Sequence, residues 1–397
     1  MTYIRRVLIG LAVLGGVVGV LVALQARPLS RDEAAAHLDE ALREAVETDD
    51  LVHGGVMWVD APGLGLQQGW AHGLADVDAG TPMTLETPFL SASVGKLFVA
   101  TAVLALERRG ALSLEDPLSK WTRPEAITGL PIVGGDEALA KVTVRQLLAH
   151  RTGLPDAFSD ASSDGEPRLF DRIALEPNRR WSRDDVFAYT RAHYPAVGAP
   201  GSVFHYSDLN YDLLGLVLEG VTGRPFHEVV RREVLEPLAL THTWYHAYEP
   251  APAGVLPIAD VFVGRANLRG APALSVDQAG GGLATTVEDL RRLLRGLLAG
   301  RPVPLDALAT SFTEDAMHPG IDVGLCAWRI RPGGVFFPLG GLPVLVGHSG
   351  ATGVWAYAAR DLDAVLVGAV SQSSWQEAHV KFLLAEVLPV LSRVRSR

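Results

Sequence analysis

Near the start of its folded body, this chain alternates apolar and polar positions with the period of a helix. Apolar residues recur every fourth position from Leu38 to Val46. Ser30 followed by Glu33 forms the capping-box pair that is typical of a helix start. The pattern therefore predicts a helix that begins after Ser30 and ends near Thr48.

Short apolar runs predict β-strands at both ends of the body, and helical periodicity fills the middle. The predicted strands are 51–60, 66–76, 325–331, 343–348, 353–359 and 364–370. The predicted helices of the middle and end are Val142–His150, Ser182–Ala192, Asp208–Val221, Phe226–Leu238, Thr286–Leu298 and Gln376–Leu391.

This order of elements predicts an α/β (α+β) fold. One antiparallel sheet is formed by both termini of the body and flanked by helices, with a helical subdomain inserted. We place the α/β subdomain at 31–110 and 275–397 and the helical subdomain at 111–274. Together they are expected to form one catalytic unit.

The segment Ser91–Arg109 is apolar on every helical face, so it should be a central, buried helix that stops at Gly110. Ser93 and Lys96 open it, one turn apart on the same face. A serine hydroxyl needs an adjacent base to act as a nucleophile, and a half-buried lysine can serve as that base. A helix-capping serine beside a snorkelling lysine is the structural alternative.

An uninterrupted apolar run of 18 residues, Val7–Leu24, follows Arg5 and Arg6. The run is longer than a usual signal-peptide core and at the short end of a membrane helix. We therefore expect 1–27 to be a membrane anchor or signal segment, the uncleaved anchor being favoured. The positive flank would stay in the cytoplasm, which places the body in the cell envelope, on the periplasmic or extracellular side of the cytoplasmic membrane.

Charge and composition exclude several classes of function. The chain has 45 acidic against 35 basic residues and no basic stripe, so no nucleic-acid partner is expected. The single cysteine, Cys326, excludes a disulfide framework, a multi-cysteine zinc site and a CxxC motif, and it is expected to pack in the core beside Trp328. His242 and His246 have metal-like spacing but no third ligand, so we expect no metal and no cofactor.

Two further motifs follow Ser93 and Lys96: Tyr206-Ser207-Asp208, and His348-Ser349-Gly350. In this order and at these separations they resemble the serine β-lactamase and penicillin-binding-protein superfamily, in the branch of class C β-lactamases, DD-peptidases and related esterases. The resemblance covers about 51–390 and includes GALSLEDPLSKW, VTVRQLLAHRTGLP and DQAGGGLATTVEDL. It implies a β-lactamase/transpeptidase-like fold.

The resemblance also implies roles for individual residues. Ser93 corresponds to the acylated nucleophile, and Lys96 and Tyr206 to the pair that takes its proton and returns it to the leaving group. The backbone N–H groups of Ser93 and Ala351 would form the oxyanion hole. The remaining members of the motifs would bind substrate: Asp208, His348, Ser349, Gly350 and Ala351.

Two residues depart from the β-lactamase pattern. Asp208 replaces the usual asparagine. If it lies near Lys96, it would favour the charged ammonium and shift the role of base to Tyr206. It can also cap the helix that follows. His348 replaces lysine and would be mostly neutral at pH 7, so it offers little to a substrate carboxylate. The histidine therefore favours esters, amides or D-amino-acid peptides.

The expected function is an extracytoplasmic serine hydrolase that works through a covalent acyl-enzyme. A true β-lactamase or D-Ala-D-Ala carboxypeptidase and a non-turnover penicillin-binding sensor remain open. The stretch 347–351 only superficially resembles the elbow of α/β-hydrolases, because a strand pattern follows it. The partner is a small-molecule or peptidoglycan-like substrate whose pocket depends on loops such as 155–168 and 301–320. The oligomeric state stays undetermined.

Overall fold

A computed structural model of the protein describes residues 27–395. The predicted anchor run Val7–Leu24 lies outside the described residues, so its role stays a prediction. Among the helices of 27–395, none combines the length and the apolar character that crossing a bilayer requires.

Fourteen strands are present in this part of the chain, nine of them in one antiparallel sheet. In chain order they are β1 (Gly54–Ala61), β2 (Leu66–Asp76), β3 (Thr81–Pro82), β4 (Phe89–Leu90), β5 (Trp244–Tyr245), β6 (Phe262–Val263), β7 (Ala266–Asn267), β8 (Leu283–Thr285), β9 (Thr313–His318), β10 (Ile321–Val323), β11 (Trp328–Ile330), β12 (Leu345–Gly350), β13 (Val354–Ala359) and β14 (Ala364–Ala369). The large sheet has the order β3-β2-β1-β14-β13-β12-β11-β10-β9. Because β1 pairs with β14, both ends of the body meet in one sheet, which confirms the predicted fold class.

Helices cover both faces of this sheet, and fourteen α-helices occur within 27–395. In chain order they are α1 (Arg31–Glu47), α2 (Lys96–Arg108), α3 (Pro124–Ile127), α4 (Gly135–Lys141), α5 (Val144–Leu148), α6 (Leu169–Leu175), α7 (Arg183–His193), α8 (Leu209–Thr222), α9 (Phe226–Val230), α10 (Val287–Leu298), α11 (Leu305–Leu308), α12 (Pro332–Val335), α13 (Ala378–Phe382) and α14 (Leu388–Leu391). Trp355 and Tyr357 of β13 pack with α1 and the C-terminal helices, whereas Val354 and Ala356 pack with α2 and α10. Both faces of the sheet are therefore buried at these strands, which explains why their sequences are continuous apolar runs.

Helix caps agree with the sequence prediction. Ser30 and Glu33 make the reciprocal capping box of α1, and Thr48 follows its last residue. Ser182 caps α7 and Thr286 caps α10 through their side-chain oxygens. Each cap satisfies a backbone N–H that the first helical turn leaves free.

The central helix is buried as predicted but begins later. Every residue of α2 from Lys96 to Leu106 is buried. The predicted first turn is instead a 3-10 turn, Ala92–Gly95, and Ala92 has a left-handed φ of 43°. A non-glycine residue rarely adopts this conformation, so packing around the turn must hold it. Ser93 therefore sits in a tight turn ahead of α2.

The small strands and the sheet edge were not predicted. β9 lies within the segment 301–320, which the sequence suggested was a loop, because β9 is polar and largely exposed at the edge of the sheet, and β10 follows directly after it. β4, β8 and β5 form a separate three-stranded sheet, and β4 leads directly into the turn that carries Ser93. The proposed division into two subdomains stays a prediction.

Candidate active site

The turn between β4 and α2 places a serine against a buried lysine. Lys96 Nζ donates a hydrogen bond of 3.0 Å to Ser93 Oγ. The Lys96 side chain has no solvent exposure, whereas Ser93 is half-buried and lines an open cleft. The sequence spacing thus corresponds to a direct contact between the two side chains.

Asp208 forms an ion pair with this lysine. It occupies the N-cap position of α8, but its side chain makes no capping hydrogen bond, so the carboxylate faces Lys96 instead of the helix. Burial alone would lower the pKa of Lys96, but the opposing charges, of which the Asp208 carboxylate is the largest, outweigh burial and raise it. The lysine is therefore held as an ammonium, as expected for aspartate at this position.

Tyr206 stands beside the same ammonium. Lys96 Nζ lies 5.3 Å from the centroid of the Tyr206 ring. The Tyr206 hydroxyl is buried, and no hydrogen-bond partner for it occurs within 27–395. Burial raises the pKa of this hydroxyl, while the positive Lys96 opposes the rise. Tyr206 is therefore neutral at rest, with a free hydroxyl next to the lysine.

His150 holds the segment that carries Tyr206. Its ring stacks on Tyr206 with centroids 4.2 Å apart. Its Nδ1 accepts hydrogen bonds from the Ser207 N–H at 3.1 Å and from the Asn210 amide at 3.2 Å. Burial holds the pKa of His150 well below its usual value, so the ring stays neutral. These bonds pin the segment that carries Tyr206 to the end of α5.

Strand β12 closes the cleft on the other side. Gly350 packs so closely on the nucleophile turn that a Cβ there would stand 2.8 Å from the Ser91 carbonyl oxygen and 3.2 Å from Ala92 Cβ. Ser93, Gly350 and Ala351 line the same cleft. Ser93 and Ala351, whose N–H groups the resemblance assigns to an oxyanion hole, thus line one cleft.

His348 is fully buried beside Trp328 and Tyr206, with ring centroids 4.8 Å and 6.4 Å away. Its Nδ1–H donates to the Ser349 carbonyl oxygen at 2.7 Å, which leaves Nε2 as an acceptor. Burial, assisted by the charge of Lys96, lowers the pKa of His348 to about 3. The ring therefore carries no positive charge at neutral pH.

The Ser349 hydroxyl is engaged by two neighbouring side chains. It lies 2.6 Å from the Tyr357 hydroxyl and 2.6 Å from His379 Nε2. His379 Nδ1–H donates to the Trp375 carbonyl oxygen, so Nε2 accepts from Ser349. The hydroxyl thus links β12 to β13 and α13. A substrate-binding role for Ser349 would therefore fall to its backbone groups.

The cleft holds about 310 Å³ and contains residues that the sequence did not single out. Asp156 and Asp277 line it, as do apolar side chains such as Phe158 and Phe170, and His246, which the sequence suggested only for its metal-like spacing, lies there too. Asp156 lies at the edge of the loop 155–168, which was expected to shape the pocket. Asp277 opens the DQAGGG stretch, whose aspartate was the available signal.

The described residues give no support to metal binding or to thiol chemistry. Within 27–395, no three or more His, Cys, Asp or Glu side chains are grouped to hold a metal ion. Cys326 is buried, and burial raises the pKa of its thiol to about 12, so it is not a nucleophile.

Known proteins with similar sequences and folds were compared with this chain. Esterase EstB of Burkholderia gladioli is 37% identical over 218 residues, covering 54% of this chain and 53% of the esterase. The chain thus spans about half the length of this curated relative.

Solved structures match over most of the chain. A D-stereospecific amidohydrolase from Streptomyces sp. has a TM-score of 0.69 at 25% identity, covering 88% of this chain and 98% of the amidohydrolase. The D-amino acid amidase of Ochrobactrum anthropi SV3, complexed with D-phenylalanine, has a TM-score of 0.72 at 21% identity and covers 91% of this chain and 99% of the amidase. The family model described as Beta-lactamase matches residues 39–387. With that match and the shared fold, the chain belongs to the beta-lactamase family.

Proposed function

We propose that this chain is an extracytoplasmic serine hydrolase that acts on an ester, an amide or a D-amino-acid peptide through a covalent acyl-enzyme. The observation that carries the proposal is the 3.0 Å contact between Ser93 Oγ and Lys96 Nζ at the base of the cleft. The extracytoplasmic location rests on the apolar run Val7–Leu24.

In the proposed reaction, the Lys96–Tyr206 pair first loses a proton to solvent, and Ser93 Oγ then attacks the carbonyl carbon while its own proton passes to the pair. The N–H groups of Ser93 and Ala351 stabilise the oxyanion of the tetrahedral intermediate. The bond to the leaving alcohol or amine then breaks, and the pair returns the proton to that group. A water molecule attacks the Ser93 ester, with the same pair as base, and releases the acid.

The electrostatics of the cleft favour substrates without a carboxylate near the reacting carbonyl. His348 is neutral, and Asp208 neutralises Lys96, so neither offers a net positive charge to such a group. Esterase EstB and the Streptomyces amidohydrolase, as named, support esters and amides as the substrate class.

A substrate panel tests this proposal. The full chain is offered a short p-nitrophenyl ester, an amino-acid p-nitroanilide, a D-Ala-D-Ala peptide and a chromogenic cephalosporin, and acyl adducts are located by peptide mass spectrometry. We expect turnover of the ester or anilide with a transient adduct on Ser93. Preferred turnover of the cephalosporin or the D-Ala-D-Ala peptide contradicts the substrate class, and an adduct without turnover identifies a sensor.

The ion pair between Asp208 and Lys96 makes a separate prediction. Asp208→Asn removes the charge that holds the pKa of Lys96 high, while burial still lowers it. The base form of the lysine then appears at lower pH, so the rise of kcat/KM with pH should move down by about one unit or more, a gain of about tenfold below the wild-type midpoint. The pH profile on an uncharged ester measures this shift. An unchanged profile with unchanged thermal stability would show that Lys96 does not titrate in the reaction.

A further inference from the structure

The cleft contains more negative than positive side chains around the reacting serine. Asp156, Asp208 and Asp277 line it, and the one buried ammonium, Lys96, is already paired with Asp208. The other cation on the lining is Arg168, whose side chain is 47% exposed and paired with Asp171. The cleft of the described chain thus holds more carboxyl groups than cations.

The Asp277 carboxylate lies near the backbone of the nucleophile turn. A Cβ on Gly281 would stand 2.2 Å from its Oδ2 and 2.6 Å from the Ala92 carbonyl oxygen, so the carboxylate and the turn meet across this glycine. A Cβ on Gly280 would stand 3.3 Å from Lys96 Nζ. β8 follows these glycines and pairs with β4, which fixes this arrangement next to Ser93.

The Asp277 carboxylate is a hydrogen-bond acceptor without a donor. Within 27–395 no side chain or backbone N–H donates a hydrogen bond to it. The Tyr206 hydroxyl, which lines the same cleft, also lacks a partner in this part of the chain. An ionised Asp277 carboxylate can only accept hydrogen bonds. A ligand that satisfies this carboxylate must bring donors, and positive charge suits the excess of carboxylates.

The rest of the cleft is apolar. Phe158, Phe170, Ile173, Leu274 and Met317 line it. A ligand that fits both regions combines a donor cation near the reacting carbonyl with a hydrophobic side group.

We propose that Asp277 binds a protonated amino group next to the scissile carbonyl, and that the preferred substrates are amides or esters of hydrophobic α-amino acids with a free amine. The inference rests on the proposed function, since it takes this cleft as the active site. Asp277 thereby selects against acyl groups that lack the amine.

Titration of Asp277 sets the conditions for the test. Burial raises the pKa of Asp277 to about 7, Lys96 opposes the rise and Asp208 adds to it. Asp212 and Tyr245 are the other titratable groups whose pKa values respond to the charge of Asp277. Asp277 is charged above its pKa, and an α-amine is charged below about 8, so both are ionised near pH 7.5.

Calorimetry on a variant without the nucleophile measures ligand binding alone, so it tests this inference separately from the proposed reaction. The full chain with Ser93→Ala is titrated at pH 7.5 with D-phenylalanine amide and with 3-phenylpropanamide, which differs only by the missing amine. We expect the amine-bearing amide to bind at least about tenfold more tightly, as a charge-assisted contact implies. Adding Asp277→Asn should reduce the difference to less than about threefold, while Asp361→Asn, an exposed carboxylate away from the cleft, should preserve it.

Lowering the pH to 5.5 gives a second measurement that needs no variant at Asp277. The carboxyl gains a proton below its pKa of about 7, so the preference for the amine should shrink. Equal or tighter binding of 3-phenylpropanamide, failure of both ligands to bind, or a preference that survives both Asp277→Asn and pH 5.5 would overturn the inference. The proposed function fails on a different result, namely no turnover of any ester or amide by the unmodified chain.

Discussion

Replacing Ser93 with alanine will lower kcat/KM for every ester and amide that the chain turns over by about 10⁴-fold or more. The change removes the one oxygen in hydrogen-bond contact with Lys96 Nζ that can form a covalent ester. The hydroxyl is half-buried and makes no other hydrogen bond in the described chain, so the fold should persist. Initial rates on a p-nitrophenyl ester and the mass of the intact protein after reaction measure the effect.

The matched control is Ser392→Ala, an exposed serine near the C-terminus, which should keep the wild-type rate and the adduct. Equal thermal unfolding of the two variants excludes a folding defect. If Ser93→Ala still forms a covalent adduct during turnover, another nucleophile performs the reaction and the assignment of Ser93 is wrong.

The elements that the sequence predicted well are those whose signal is local. The capping pair at Ser30 and Glu33 fixes the start of α1 within a few residues of sequence. The strands β12, β13 and β14 are buried on both faces, so their apolar runs stand out without any knowledge of their neighbours.

The elements that were missed depend on distant contacts. β9 is a polar edge strand whose only sheet neighbour is β10, so nothing in its own residues distinguishes it from a loop. The 3-10 turn before α2 exists because Gly350 and Gly281 press on it from segments more than 180 residues later. A local pattern of apolar residues predicts a regular helix there instead.

The same distinction applies to the site. Ser93 and Lys96 are three residues apart, and Tyr206 and His348 belong to short motifs, so sequence spacing was sufficient to select them. Asp277 opens a stretch that the resemblance included, but nothing in that stretch assigns it to the cleft, and its place there follows from the pairing of β8 with β4. The engagement of Ser349 by His379 likewise needs α13 to return to the sheet.

Replacing Lys96 with methionine will lower kcat/KM by about 10⁴-fold, because the change removes the group that accepts the Ser93 proton with Tyr206. It also leaves the Asp208 carboxylate, whose side chain is only 16% exposed, without its cation. An unpaired buried charge of this kind costs about 3–5 kcal/mol of folding stability, so the melting temperature should fall as well. Steady-state rates and thermal unfolding measure the two effects.

The double variant Lys96→Met with Asp208→Asn separates these effects, because it removes both charges and leaves none unpaired. Its melting temperature should recover toward the wild type, whereas its activity should stay as low as that of the single variant. Lys141→Met is the control, since that lysine is 72% exposed and also pairs with a carboxylate, and it should change neither quantity by much. If the double variant regained activity with its stability, Lys96 would serve only to neutralise Asp208. Because Lys96 Nζ also contacts Ser93 Oγ, we expect the melting temperature of the double variant to recover while its activity stays low.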